Sequence, residues 1–147
     1  MRVFLDTNVL ASAAATRGLC ADVLREVLTS HELLTSAQVL SELKRVLRTK
    51  FGVARDLVDD FILLMRQDAV FSQPGPLPPV EIQDQDDLPI LSAAISGKAD
   101  VFVTGDKELI DLSKVENLAI LSPRQFWDKL TAQPQRRAGR TKSRRSR

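Results

Sequence analysis

Acidic residues at the ends of hydrophobic runs carry the chemistry open to this chain. Arg2-Val3-Phe4-Leu5 leads straight into Asp6-Thr7-Asn8, and Val101-Phe102-Val103 leads in the same way into Thr104-Gly105-Asp106. A chain that twice drops an aspartate off the end of a buried strand gathers carboxylates at one edge of a sheet. Two carboxylates about 4 Å apart repel by roughly 4 kcal/mol at an effective dielectric near 20. Such a cluster calls for a cation, and oxygen-only ligation suits Mg²⁺ or Mn²⁺. One or two such ions would polarise a phosphodiester and lower the pKa of a bound water, so no side-chain nucleophile is needed.

The rest of the composition excludes most rivals. One histidine (His31), one cysteine (Cys20) and no tyrosine leave no His/Cys zinc site, and a nucleophilic triad would have to run through His31, which reads as a turn residue. No Gly-rich phosphate loop and no EF-hand loop occurs. A haloacid-dehalogenase-type site wants a second aspartate where Asn8 stands, and a receiver domain's early acid pair is missing. A lone cysteine fits a reducing cytoplasm. Asp6 argues against export, and no apolar run is long enough to span a membrane.

The elements that carry these acids alternate between strands and helices. Strands are predicted over residues 2–5, 32–35, 69–72, 101–103 and 118–121, and helices over about 8–15, 19–29, 37–50, 54–67, 87–98, 106–113 and 123–130. Ser36 and Ser122 are good N-caps. The helix over 54–67 carries the apolar stripe Leu57, Val58, Phe61, Ile62 and Met65. Pro74-Gly75-Pro76-Leu77-Pro78-Pro79 reads as an extended loop within one domain spanning residues 1–131. Strands separated by helices imply an α/β fold with a parallel sheet covered on both faces.

In such a sheet ligands bind beyond the carboxyl ends of the strands, where strand order reverses. Asp6 and Asp106 belong at that edge. Glu42 lies near the second turn of the helix after strand two, and Asp87 opens the helix that feeds strand four. Each acid has a plainer reading alone: an Asx-turn for Asp6, helix caps for Asp87 and Asp106, a solvated helix position for Glu42. The joint pattern, four acids from four segments on one edge, is what points to a site.

These blocks carry a resemblance. Val3 to Leu10, the helix from Ser36 to Leu47 with Ser41-Glu42-Leu43, Asp86-Asp87-Leu88-Pro89-Ile90-Leu91-Ser92-Ala93-Ala94, and Ala99 to Asp106 together resemble a PIN domain. More narrowly they resemble the prokaryotic PIN toxins of type II toxin–antitoxin systems, the virulence-associated protein C-like ribonucleases. The resemblance covers about residues 1–130. It implies a three-layer α/β/α fold with strand order 3-2-1-4-5. It also implies Mg²⁺- or Mn²⁺-dependent RNA cleavage leaving a 5′-phosphate and a 3′-hydroxyl, and a protein antitoxin as partner. The family's acidic ligands fall on Asp6, Glu42, Asp87 and Asp106, and its supporting polar positions on Asn8 and Thr104. Gln83-Asp84-Gln85-Asp86-Asp87 offers three acids for one place; Asp87, three residues before Ile90, is the match and Asp86 the reserve. The rival readings are a non-catalytic RNA-binding or regulatory PIN module and a DNA or flap nuclease.

Charge adds a separate feature. All 19 acids but only 14 of the 21 Lys and Arg lie within residues 1–130, so the body carries a net −5. The other seven bases, Arg136, Arg137, Arg140, Lys142, Arg144, Arg145 and Arg147, close the chain without an acid among them. This segment, 132–147, is expected to be disordered, and either contacts nucleic-acid phosphates, serves as a solvated tail, or meets an acidic antitoxin segment. Phe126 and Trp127 are expected to pack beneath the last helix. The helices near 19–29 and 54–67 are core elements first, with a homodimer or an antitoxin helix as their further use.

Overall fold

The computed structural model describes residues 1–132. The seven bases from Arg136 to Arg147, singled out above, lie outside the described residues. Four short buried strands form the centre: β1 (Arg2–Leu5), β2 (Glu32–Thr35), β4 (Val101–Val103) and β6 (Leu118–Leu121). Two-residue strands β3 (Val70–Phe71) and β5 (Lys114–Val115) lie at the edges, giving the order β3-β2-β1-β4-β6-β5. The five strands expected from sequence are parallel and stand in the expected order, the fifth of them being β6.

The sixth strand corrects the sequence expectation. β5 pairs antiparallel with β6 through a tight turn in which Glu116 has φ +54°. Nothing in Glu116-Asn117 resembles the Asn-Gly or Asp-Gly pair that announces a two-residue hairpin. A two-residue strand also has too little alternation to register as one.

The parallel strands are joined by α1 (Thr7–Ala15), α2 (Leu19–Ser30), α3 (Ala37–Thr49), α4 (Arg55–Asp68), α5 (Asp87–Ser96) and α6 (Lys107–Leu112), with α7 (Pro123–Thr131) closing the described chain. α1 packs on α2 and α3, α3 on α4, and α2 on α7. From β1 the chain steps outward through β2 to β3, then returns to β4 on β1's other side. Right-handed crossovers in opposite directions lie on opposite faces, so α5 and α6 cover the face away from α1 to α4. The order therefore reverses between β1 and β4, the position where an open α/β sheet forms its crevice.

Local chemistry fixes these elements. Phe4 and Phe102 sit in register on β1 and β4 and stack with ring centroids 5.4 Å apart at the buried centre. The Ser36 hydroxyl accepts from the Val39 amide to start α3, whose buried stripe is Val39, Leu40, Leu43 and Leu47. Ser122 and Gln125 form a reciprocal capping box at α7. Phe126 is fully buried and Trp127 packs against the core, as expected. Gly97 ends α5 where a Cβ would come within 2.8 Å of Ser72 Cβ, so only glycine lets the helix seat this close.

One stripe differs from expectation. On α4 the buried positions are Val58, Ile62 and Met65, whereas Leu57 is 58% exposed. A spacing of 3.6 residues per turn cannot bring Leu57 and Val58 equally inward, and the neighbouring helix takes the second. Among the described residues no helix is long and apolar enough to cross a membrane.

Candidate functional site

The last rung of the β1–β4 ladder sets up the site. The Asp6 amide donates to the Val103 carbonyl at 2.9 Å, which brings the end of β1 beside the turn after β4. Asp6 is 5% exposed, and its carboxylate is held by three donors. The Thr7 amide reaches Oδ1 at 2.8 Å, while the Thr104 hydroxyl at 2.8 Å and the Asn8 amide nitrogen at 3.4 Å reach Oδ2. A hydroxyl gives one hydrogen bond and can accept two. Thr104 Oγ1 uses both roles, donating to Asp6 and accepting from the Asp106 amide at 3.0 Å. Asn8 completes the link, its Oδ1 accepting from the Gly105 amide at 3.1 Å. Asn8 and Thr104 thus tie the ends of the two strands together.

Glu42 comes from α3. Its Oε1 accepts from the Thr7 hydroxyl at 2.9 Å and its Oε2 from Gln38 Nε2 at 3.2 Å. Asp106 caps α6, with Oδ1 accepting from the Glu108 amide at 2.9 Å. Asp6 likewise caps α1. The capping reading and the cluster reading therefore hold together: a cap uses one carboxylate oxygen and leaves lone pairs on the other. Asp87 is different. It is the first residue of α5 and does not cap it; Asp86 occupies the N-cap position without a side-chain cap bond.

Electrostatics shows which acids share one field. Burial pushes the Asp6 carboxyl up to about 6, against lowering by its Thr104 and Thr7 hydrogen bonds and with further raising by the charges of Glu42 and Asp106. Asp87 is pushed up to about 7, first by burial and then by the charges of Asp6, Asp84, Asp106 and Glu42. Asp6, Glu42, Asp87 and Asp106 are thus brought into one mutually repelling group, joined by Asp84. Asp86, the reserve acid, is not among the charges acting on Asp87, and its carbonyl instead accepts from Gln38 Nε2 at 2.9 Å.

A family model described as the PIN domain matches residues 2–108. This chain belongs to the PIN-domain family. A chain of the crystal structure of VapBC2 from Rickettsia felis, bound to a DNA fragment from their promoter, matches with a TM-score of 0.59 at 17% identity, covering 83% of this chain and 98% of that one. At that identity the likeness speaks for the fold. No curated protein matches.

PIN domains are generally divalent-metal-dependent nucleases. The donor set of this PIN domain suits a hard divalent ion: every acid of the group offers only carboxylate oxygens, and two have proton affinities raised first by burial and then by their like-charged neighbours. Among the described residues no three such side chains stand together as a ready-made cage. Mg²⁺ usually keeps several waters and takes only one or two carboxylates, so a spaced group of acids is compatible with it.

Two participants escaped sequence reasoning. Thr7 joins the Asp6 carboxylate, through its amide, to Glu42, through its hydroxyl, and Gln38 joins Glu42 to the segment before α5. Gln38 and Glu42 are four apart on one helix face, a spacing that could have flagged the pair.

The raised carboxyls make a pH prediction. In the unfolded chain both ionise near 3.8, whereas in the fold Asp6 keeps its proton to about 6 and Asp87 to about 7. Their contribution to stability is full below the unfolded value and is lost as pH rises through the folded values. In EDTA, Asp6→Asn and Asp87→Asn should therefore gain Tm relative to wild type between pH 4 and 8. Thermal unfolding across that range checks this, and parallel wild-type and variant curves would contradict it.

Proposed function

We propose that this PIN domain is a Mg²⁺- or Mn²⁺-dependent endoribonuclease and the toxin of a toxin–antitoxin pair. The observation that supports it best is the gathering of four acids from four segments at the reversal point of the sheet, with Asp6 held by Thr104 and Asn8. A divalent ion held there would supply Lewis acidity to the scissile phosphate and to a water.

The chain's own residues prepare that reaction. Thr104, Asn8 and the Thr7 amide fix Asp6, so the carboxylate needs no reorientation when charge develops nearby. Thr7 and Gln38 hold both oxygens of Glu42 toward the same edge. Asp6 and Asp106 are the two acids fixed at adjacent strand ends, with Glu42 and Asp87 completing the group. The retained Asp6–Thr104–Asn8 network favours catalysis over a purely RNA-binding use of the scaffold, because a binding surface gains nothing from clustering acids near a polyanion. The basic residues from Arg136 to Arg147 would add salt-dependent phosphate contacts.

For the antitoxin, the proposal draws on the VapBC2 likeness and on a surface of this chain. Ala14, Leu47, Val53, Leu57, Phe61 and Leu64, with Asp60 as the one charged residue, line a groove of about 330 Å³ between α1, α3 and α4. Leu57, 58% exposed, and Leu63, 54% exposed, lie along α4. An amphipathic partner segment would bury such side chains.

Two outcomes are expected. Purified protein should cut labelled RNA with Mg²⁺ or Mn²⁺ and not with EDTA, and Asp6→Asn should fall to the EDTA level while staying folded. A DNA panel run in parallel separates the deoxyribonuclease reading, and wild-type turnover by Asp6→Asn would end the catalytic proposal. A cognate antitoxin should suppress wild-type cleavage but suppress Leu57→Arg poorly; equal suppression would remove the α4 groove from the interface.

A further inference from the structure

We propose that Gln38 and Glu108 are positioning residues that clamp segment 83–87 from two sides and thereby place Asp87 in the site. The inference rests on the proposed metal-holding role of the acid group. It starts from an asymmetry among the four acids. Asp6 has three donors on its carboxylate, Glu42 has two and Asp106 has one. Among the described residues no side chain or amide donates a hydrogen bond to the Asp87 carboxylate, which is half-buried beside the other acids. Its location is therefore set by its backbone.

That backbone is fixed at two points by side chains of other elements. From α3, Gln38 Nε2 donates to the Asp86 carbonyl at 2.9 Å and, through its second hydrogen, to Glu42 Oε2 at 3.2 Å. From α6, the Glu108 carboxylate accepts the Gln83 amide on both oxygens, at 3.1 and 3.0 Å. The segment's internal bonds, Asp86 N to Asp84 Oδ1 at 3.0 Å and Asp87 N to the Asp84 carbonyl at 3.1 Å, shape the turn but do not tie it to the sheet.

The two clamps have the same construction. Gln38 holds Glu42 with one hydrogen and the segment with the other. Glu108 holds Asp106 through its backbone amide and the segment through its side chain. Each therefore couples Asp87's segment to a different acid of the group. The segment follows the proline-rich stretch 74–79, whose residues lie outside helix and strand; buried Ile82 and the Ser92 bonds to Gly75 and Pro76 anchor the chain upstream, while the two clamps act on the segment itself. Glu108, although acidic, has both oxygens turned to the Gln83 amide, which assigns it to positioning rather than to ligation.

The test uses Glu108, because its carboxylate is hydrogen-bonded to the segment and to none of the four acids. Glu108→Ala removes the acceptor and the charge; Glu108→Gln removes the same charge but keeps an acceptor oxygen. Mn²⁺ binding is read by electron paramagnetic resonance of the full chain, with thermal unfolding in EDTA as the control for folding. Glu108→Ala should weaken Mn²⁺ binding by about tenfold, the lower end of what loss of a partner behind a metal ligand costs. Glu108→Gln should stay near wild type, and the loss should vanish in the Asp87→Asn background, where there is no ligand left to misplace. Gln38→Met, which keeps bulk without a donor, should weaken binding in the same direction. Equal weakening by Glu108→Ala and Glu108→Gln would make the effect one of charge and overturn the proposal. So would an undiminished loss in the Asp87→Asn background, or unchanged binding in Glu108→Ala. A wild-type protein that binds no Mn²⁺ would instead bring down the metal-site reading itself, and this inference with it.

Discussion

Mutual repulsion among carboxylates is the constraint around which this structure is arranged. Asp6 is almost fully buried, a setting that drives a carboxyl toward its neutral form. Its hydrogen bonds from Thr104 and Thr7 pull the other way, and the nearby charges of Glu42 and Asp106 push back again. A fold selected only for stability would place an apolar residue there. Keeping an acid in that position, with three donors to orient it, makes sense when the charge it holds has a partner to meet.

Topology supplies the convergence. The five parallel strands put their carboxyl ends on one side, and the order reverses between β1 and β4, where an open α/β sheet forms its crevice. Asp6 and Asp106 leave adjacent strands into that crevice. The second turn of α3 and the first turn of α5 add Glu42 and Asp87, because a helix in a right-handed crossover starts on the carboxyl side. The polar residues between them, Thr7, Asn8, Gln38 and Thr104, convert that rough placement into fixed orientation.

What could be read from the sequence follows the range of the forces involved. Buried strands such as Val101-Phe102-Val103 and capped amphipathic helices such as Ser36 to Thr49 carry their signal within a few residues, so they were legible. The acids at strand ends were legible for the same reason. The β5–β6 hairpin was not, because Lys114-Val115 is too short to show a pattern and Glu116 takes its positive φ without a glycine to announce it. The exposure of Leu57 depends on which residue of α4 meets α3, a tertiary choice. Links such as Gln38 to the Asp86 carbonyl, 48 positions along the chain, have no local signature. Asp84, Asp86 and Asp87 compete for one place in the sequence, where the distance to Ile90 favours Asp87; in the fold Asp87 feels the other acids while Asp86 lends its carbonyl to Gln38.

The central claim is that this acidic edge exists to hold a divalent cation. Anomalous diffraction from crystals grown with Mn²⁺ tests it most directly. The account predicts an anomalous peak within reach of the Asp6 and Asp106 carboxylates, lost in crystals of Asp6→Asn. A well-ordered crystal with no peak at that edge, or with Mn²⁺ bound only elsewhere, would contradict it.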